Sequence, residues 1–148
     1  MKISLPEASP EALAHSQAFT RTLKQHIREN NGAIPFSRFM ELALYAPGMG
    51  YYSAGSSKFG AEGDFVTSPE LGAIFAKCIA TASVKVLQQL EDETVFFELG
   101  GGSGAFAEHA LKQFFELNIV PTRYCILEPS ADLRERQRQR LKENLSAE

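Results

Sequence analysis

The chain has 148 residues, 44% of them hydrophobic and 22% charged, an ordinary globular balance long enough to bury one core. Its net charge of −3 offers no global basic field to nucleic acid or an anionic membrane. No apolar run reaches the roughly 20 residues that a membrane-spanning helix needs.

From the N-terminus, MKISLPEASPEAL shows neither a secretory signal nor an Arg-rich transit pattern. A helix is predicted from Pro10 to Asn30, with Ser9 as its cap, proline in its first turn and Gly32 after its end. A second helix runs through PFSRFMELALY, started by Ser37 and stopped by Pro47-Gly48. The Gly- and Ser-rich stretch YYSAGSSKFGAEGDFVTSPE reads as a loop, with short extended pieces at Gly50–Ser53 and Phe65–Thr67. Ser68-Pro69-Glu70 carries a capping hydroxyl, a first-turn proline and a first-turn acid, and opens a helix reaching Leu90. Leu71, Ile74, Phe75, Cys78, Ile79, Ala82, Val86, Leu87 and Leu90 form its apolar stripe.

TVFFEL is a continuous apolar strand of the kind buried in a parallel sheet. A helix over Gly104–Leu117, the strand RYCILE and a helix in PSADLRERQRQRLKENL capped by Ser130 complete the chain. The order strand, helix, strand, helix begins a doubly wound α/β sheet. We expect a helical and loop segment over 1–68 and a partial Rossmann-like domain over 69–148.

The glycine turn between the first strand and its helix carries the chemistry. Gly100, Gly102 and Ala105 fit G-x-G-x-x-A, a weak dinucleotide signature. Glu98 with Gly100, Gly102 and Gly104 also fits E-x-G-x-G-x-G. A carboxylate at the mouth of the turn repels a pyrophosphate and suits a cationic ligand. S-adenosyl-L-methionine, with an ammonium, a sulfonium and no phosphate, answers that description. Glu128, which ends RYCILE, is placed to accept hydrogen bonds from ribose hydroxyls. NAD also carries a ribose, so Glu98 is the residue that disfavours it.

FMELALYAPGMGYYS, FGAEGDFVTSPELGAIFA, FFELGGGSGAFAEHAL and YCILEPSADLRERQRQRL resemble, in order and spacing, the MidA family of class I S-adenosylmethionine-dependent methyltransferases. The resemblance covers nearly all of Ile34–Leu141, and GDFVTSPE is its most specific block. It implies a first half of a class I methyltransferase sheet, truncated here, preceded by an N-terminal helical segment. It implies that Gly100, Gly102 and Gly104 form the donor turn, that Glu98 faces the donor's amino-acid end, and that Glu128 faces its ribose. It places Phe65, Thr67, Ser68 and Glu70 close to the donor, with Glu70 a catalytic candidate.

The resemblance further implies methylation of an arginine on a protein substrate, a respiratory complex I subunit among the candidates. The family's remaining strands, which complete the acceptor pocket, are not in this sequence. The chain alone is therefore expected to be inactive, and its open strand edge favours a homo-oligomer. A non-catalytic donor-binding or assembly module is the alternative function, and an NAD-dependent Rossmann enzyme a weaker one.

Other patterns are set aside. Cys78 and Cys125 lie far apart in apolar surroundings, read as buried free thiols, and suggest a cytoplasmic protein. His15, His26 and His109 have no metal spacing. Ser103 is out of register with a hydrolase elbow. RERQRQRLK reads as a solvated helix face rather than an RNA contact.

Overall fold

The caps set the ends of the first and last helices. Ser9 accepts a hydrogen bond from the Ala12 N–H (3.2 Å) and starts helix α1, Pro10–Glu29. Asn31 (φ 59°) turns the chain out, and the Gly32 N–H reaches back to the Ile27 carbonyl. The computed structural model describes residues 7–54, 66–90 and 93–145. The chain falls into two units, Met1–Ala54 and Gly55–Glu148.

In the first unit, helix α2 (Phe36–Tyr45) begins two residues earlier than a cap at Ser37 predicts. Pro35 precedes it without a side-chain cap bond, and Ser37 lies inside the first turn. Leu42 and Ala46 are buried, and Tyr45 stacks on Tyr52 at 5.7 Å. The His15 Nε2–H donates to the Met49 carbonyl (2.9 Å). Gly50–Ser53 forms turns rather than an extended piece, with the Tyr51 and Tyr52 N–H groups bonded to the Ala43 and Leu44 carbonyls.

The second unit departs from the prediction at its first helix. The segment is split into α3 (Ser68–Leu71) and α4 (Ile74–Leu87), with Gly72 at φ 147° between them. Thr67, not Ser68, is the residue before the first turn, and it makes no side-chain cap bond. The predicted piece at Phe65–Thr67 lies partly outside the described residues, and Val66–Thr67 is not strand.

Strands β1 (Val95–Leu99) and β2 (Arg123–Leu127) pair in parallel, with Phe96 opposite Tyr124 and Glu98 opposite Ile126. Thr94 and Thr122 clasp the entrance, each backbone N–H donating to the other's hydroxyl at 3.1 Å. Helix α5 (Ala105–Glu116) crosses between the strands, and α6 (Ala131–Asn144) follows β2. Ser130 caps α6 by accepting from the Leu133 N–H (3.2 Å).

The core lies between α4, α5 and one face of the sheet: Ala76, Ala80, Ala110 and Phe114 are buried, with Phe96, Phe106 and Tyr124 packed against them. Thus α4 turns its alanines inward. Most of the predicted stripe, including Leu71, Ile74, Phe75 and Ile79, is exposed. Phe97 and Leu99 on the opposite sheet face are exposed as well. Among the described residues β1 pairs only with β2, so its other edge carries no strand. Cys78 is exposed and Cys125 half-buried, correcting the expectation of two buried thiols.

Candidate functional site

The turn after β1 is shaped by close approach and by bonds from α6. The Gly100 N–H donates to the Leu127 carbonyl (2.9 Å), carrying the sheet pairing one residue beyond β1. A Cβ on Gly101 would lie 2.7 Å from Ile126 Cγ2 and 3.2 Å from Gln137 Nε2, so only glycine fits there. Gly104 stands before α5 at φ 83°, in the left-handed region, against the backbone of Gln137. The Gln137 amide donates to the Gly102 carbonyl (2.9 Å), and the Ser103 hydroxyl accepts from the Ala105 N–H (3.3 Å). That second bond satisfies one donor at the start of α5.

Beside the turn lies a cavity of about 230 Å³, walled by Thr67, Pro69, Glu70, Glu98, Gly100, Gly101, Gly102, Ser103, Ala105 and Phe106. Two carboxylates therefore face one small space, which suits a cationic ligand better than a phosphate. Burial pushes the Glu98 carboxyl above its ordinary range, and a hydrogen bond from the Tyr124 hydroxyl to Glu98 Oε2 (2.7 Å) works the other way. The Tyr124 phenol is held well above its ordinary range, chiefly by burial and then by Glu98. Across the cavity, Glu70 accepts a hydrogen bond from the Ser103 hydroxyl.

Ser103 is tied onward to α6. Arg140 donates to Ser103 Oγ through Nη1 (3.3 Å) and to Glu108 Oε2 through Nε (2.7 Å). Glu108 is 5% exposed and also receives Lys112 Nζ at 2.6 Å. Burial pushes the Glu108 carboxyl up, but the hydrogen bonds and charges of Lys112 and Arg140 outweigh it and hold it below 4.5. A depressed carboxyl contributes stability that is complete above its unfolded value and is lost as pH falls through its folded value. Glu108→Gln should therefore flatten the acid limb of the stability profile, read from urea midpoints between about pH 6 and about pH 3. A profile unchanged below about pH 5 would refute this account of the pair.

The structure brings together Thr67, Glu70, Glu98, Gly100 and Gly102 on one cavity wall. Ser68 instead lines an adjoining apolar groove with Leu71, Ile74 and Phe75. Gly104 stands behind the turn, and Phe65 lies outside the described residues. Glu128 sits at the end of β2 but off the wall. It is 7% exposed, and its Oε1 accepts from the Ser130 N–H (2.9 Å).

Sequence reasoning missed Tyr124, Ser103, Gln137 and Arg140. The run RERQRQRLK is only partly a solvated face: Arg138 and Glu135 pair outside, while Gln137 is buried and Arg140 reaches Ser103. Interleaved charges hide this division, but Gln137 and Arg140 stand one turn apart (i, i+3), a spacing that places both on one side of the helix.

Residues 78–148 match the family model of S-adenosyl-L-methionine-dependent methyltransferases. The chain is 33% identical over 116 residues to "Protein arginine methyltransferase NDUFAF7 homolog, mitochondrial" of Drosophila melanogaster, covering 75% of this chain and 26% of that protein. It is 32% identical over 142 residues to the homologue of the same name from Caenorhabditis elegans, covering 90% of this chain and 32% of that one. A crystal structure of a COG1565 superfamily member from Burkholderia thailandensis, bound to S-adenosyl-homocysteine, superposes with a TM-score of 0.79 at 41% identity. The match covers 95% of this chain and 37% of that one. The chain thus spans about a third, or less, of the length of these relatives.

The mitochondrial names of the relatives overturn the expectation of a cytoplasmic protein. Free thiols report a reducing environment and do not say which compartment provides it.

Proposed function

Because this chain belongs to the MidA family of S-adenosyl-L-methionine-dependent methyltransferases, we propose that it supplies the donor-binding part of such an enzyme. The observation that carries the reading is the pair of carboxylates, Glu98 and Glu70, facing a cavity whose third side is the glycine turn. Glu98, held by Tyr124 and resisting ionisation through burial, gains most from a positive charge placed beside it. The turn offers backbone without side-chain bulk to the rest of the donor. Glu128, at the neighbouring strand end, keeps acceptor lone pairs beyond the one facing Ser130, and we assign it to the ribose. Thr67, Ser68 and Phe65 belong to the family block beside the donor.

When bound, the donor supplies an already activated methyl group, so the chain's residues chiefly align it. The relatives' names support an arginine of a protein as acceptor, with a respiratory complex I subunit the candidate drawn from the family resemblance. They also support a mitochondrial setting. A guanidinium is protonated at neutral pH and must lose a proton as its nitrogen is methylated. Glu70 is the cavity acid placed to orient that group or accept the proton, its other partner being Ser103. We expect this chain alone to bind donor weakly and not turn over. The β1 edge that no described residue pairs, with the exposed Phe97 and Leu99, favours self-association in isolation.

Calorimetry on the full-length protein tests the reading. S-adenosylmethionine or S-adenosylhomocysteine should bind, and NAD should bind roughly a hundredfold more weakly, since setting a pyrophosphate beside the half-buried Glu98 and Glu70 costs about 2.7 kcal/mol at that ratio. Comparable affinity for NAD would sink the assignment.

A further inference from the structure

Resting on that donor reading, we propose that Tyr124 is a positioning residue for the donor site, holding one oxygen of Glu98 so that the other is presented at the glycine turn. The sheet register puts the two side chains within reach. Phe96 faces Tyr124 and Glu98 faces Ile126, so Tyr124 and Glu98 are diagonal neighbours on the same face of the sheet. The phenol donates to Glu98 Oε2 at 2.7 Å. The other oxygen, Oε1, lies toward the turn, where a Cβ on Gly101 would come within 3.5 Å of it. The two oxygens of one carboxylate thus have separate tasks.

The ring that does the holding is itself fixed. It stacks on Phe96 at 5.2 Å, and Phe96 meets Phe114 edge-on at 5.4 Å and stacks on Phe106 at 6.4 Å. A glutamate with three rotatable bonds would otherwise sample several rotamers at the cavity mouth. Tyr124 is not on the cavity wall, so it acts through Glu98 and touches no ligand. The other titratable or charged groups around Glu98 are Glu70 of α3 across the cavity and, through Ser103, Arg140 of α6 with Glu108 of α5.

A purely packing role and a positioning role differ in their dependence on Glu98. Burial pushes the Glu98 carboxyl up, and the Tyr124 hydroxyl pulls it down. Removing that hydroxyl leaves the acid higher still, so the ionised form that a cationic donor needs is lost over a wider range of acid pH. The test is calorimetric titration of the full-length protein with S-adenosylmethionine, as parent, Tyr124→Phe, Glu98→Gln and the double variant, from about pH 6 to about pH 8. Tyr124→Phe keeps the ring and its stacking, and circular dichroism checks that the variants fold.

We expect Tyr124→Phe to weaken the donor about tenfold, and to have little further effect once Glu98 is glutamine. A loss that is the same with and without Glu98 overturns the positioning role and leaves Tyr124 as packing. Unchanged affinity in Tyr124→Phe, with the parent binding normally, also overturns it. Absence of binding by the parent at every pH is a different result: it overturns the donor reading and this role together.

Discussion

Phe114→Ala should lower the folding stability of the second unit by about 3–5 kcal/mol, the range for a fully buried aromatic ring whose site cannot collapse. Phe114 has no exposed surface, and among the described residues it is the largest side chain so enclosed. Its neighbours Ala76, Ala80 and Ala110 have no length with which to refill the space. The ring also meets Phe96 edge-on, so truncation removes an aromatic contact as well as volume. Since small domains are stable by only about 5–15 kcal/mol, the variant should approach the limit of folding. The next residue is the control. Phe115 is 57% exposed, and Phe115→Ala should shift stability by no more than about 0.5 kcal/mol. Urea titrations followed by circular dichroism compare the two, and equal losses would show that the core is not where we place it.

Gly101→Val should abolish measurable donor binding and cost about 1–3 kcal/mol of stability by overpacking. Gly101 is not among the residues at positive φ, so backbone strain is not the reason. Space is the reason. Ile126 Cγ2 is fixed one bond from a branched Cβ on β2, and Gln137 Nε2 is engaged with the Gly102 carbonyl. A valine must push β2 from β1 or drive Gln137 off the turn, and either movement reshapes the backbone that we assign to the donor. Calorimetry with S-adenosylhomocysteine and a thermal melt separate the two effects. Retained affinity with a lowered melting temperature would mean that the turn is structural and the ligand lies elsewhere.

What was legible in the sequence is what local rules govern. The caps at Ser9 and Ser130 act over three residues, and β1 and β2 announce themselves as continuous apolar runs. The split at Gly72 was not legible, because an isolated glycine within a helical pattern is commonly tolerated. For α4, periodicity groups residues that share a face but cannot say which face is packed. Here Ala76 and Ala80 allow close approach to α5, and the larger apolar residues turn outward. At the site, Glu98 and the glycines were readable because they are contiguous. The Tyr124–Glu98 bond depends on sheet register, and the Arg140–Ser103 contact spans 37 positions, so neither leaves a local trace.

The same Tyr124 gives this half of the molecule an optical property. The chain has no tryptophan and four tyrosines, three of which (Tyr45, Tyr51 and Tyr52) lie before Gly55. Tyr124 is therefore the single phenol chromophore of the second unit, and its hydroxyl is bonded to a carboxylate. A phenol in that state passes its excited-state proton readily to the carboxylate and emits weakly. A ligand that draws Glu98 away from the Tyr124 hydroxyl is expected to change that exchange, so tyrosine emission, read above the contribution of Tyr45, Tyr51 and Tyr52, offers a dye-free check on occupancy.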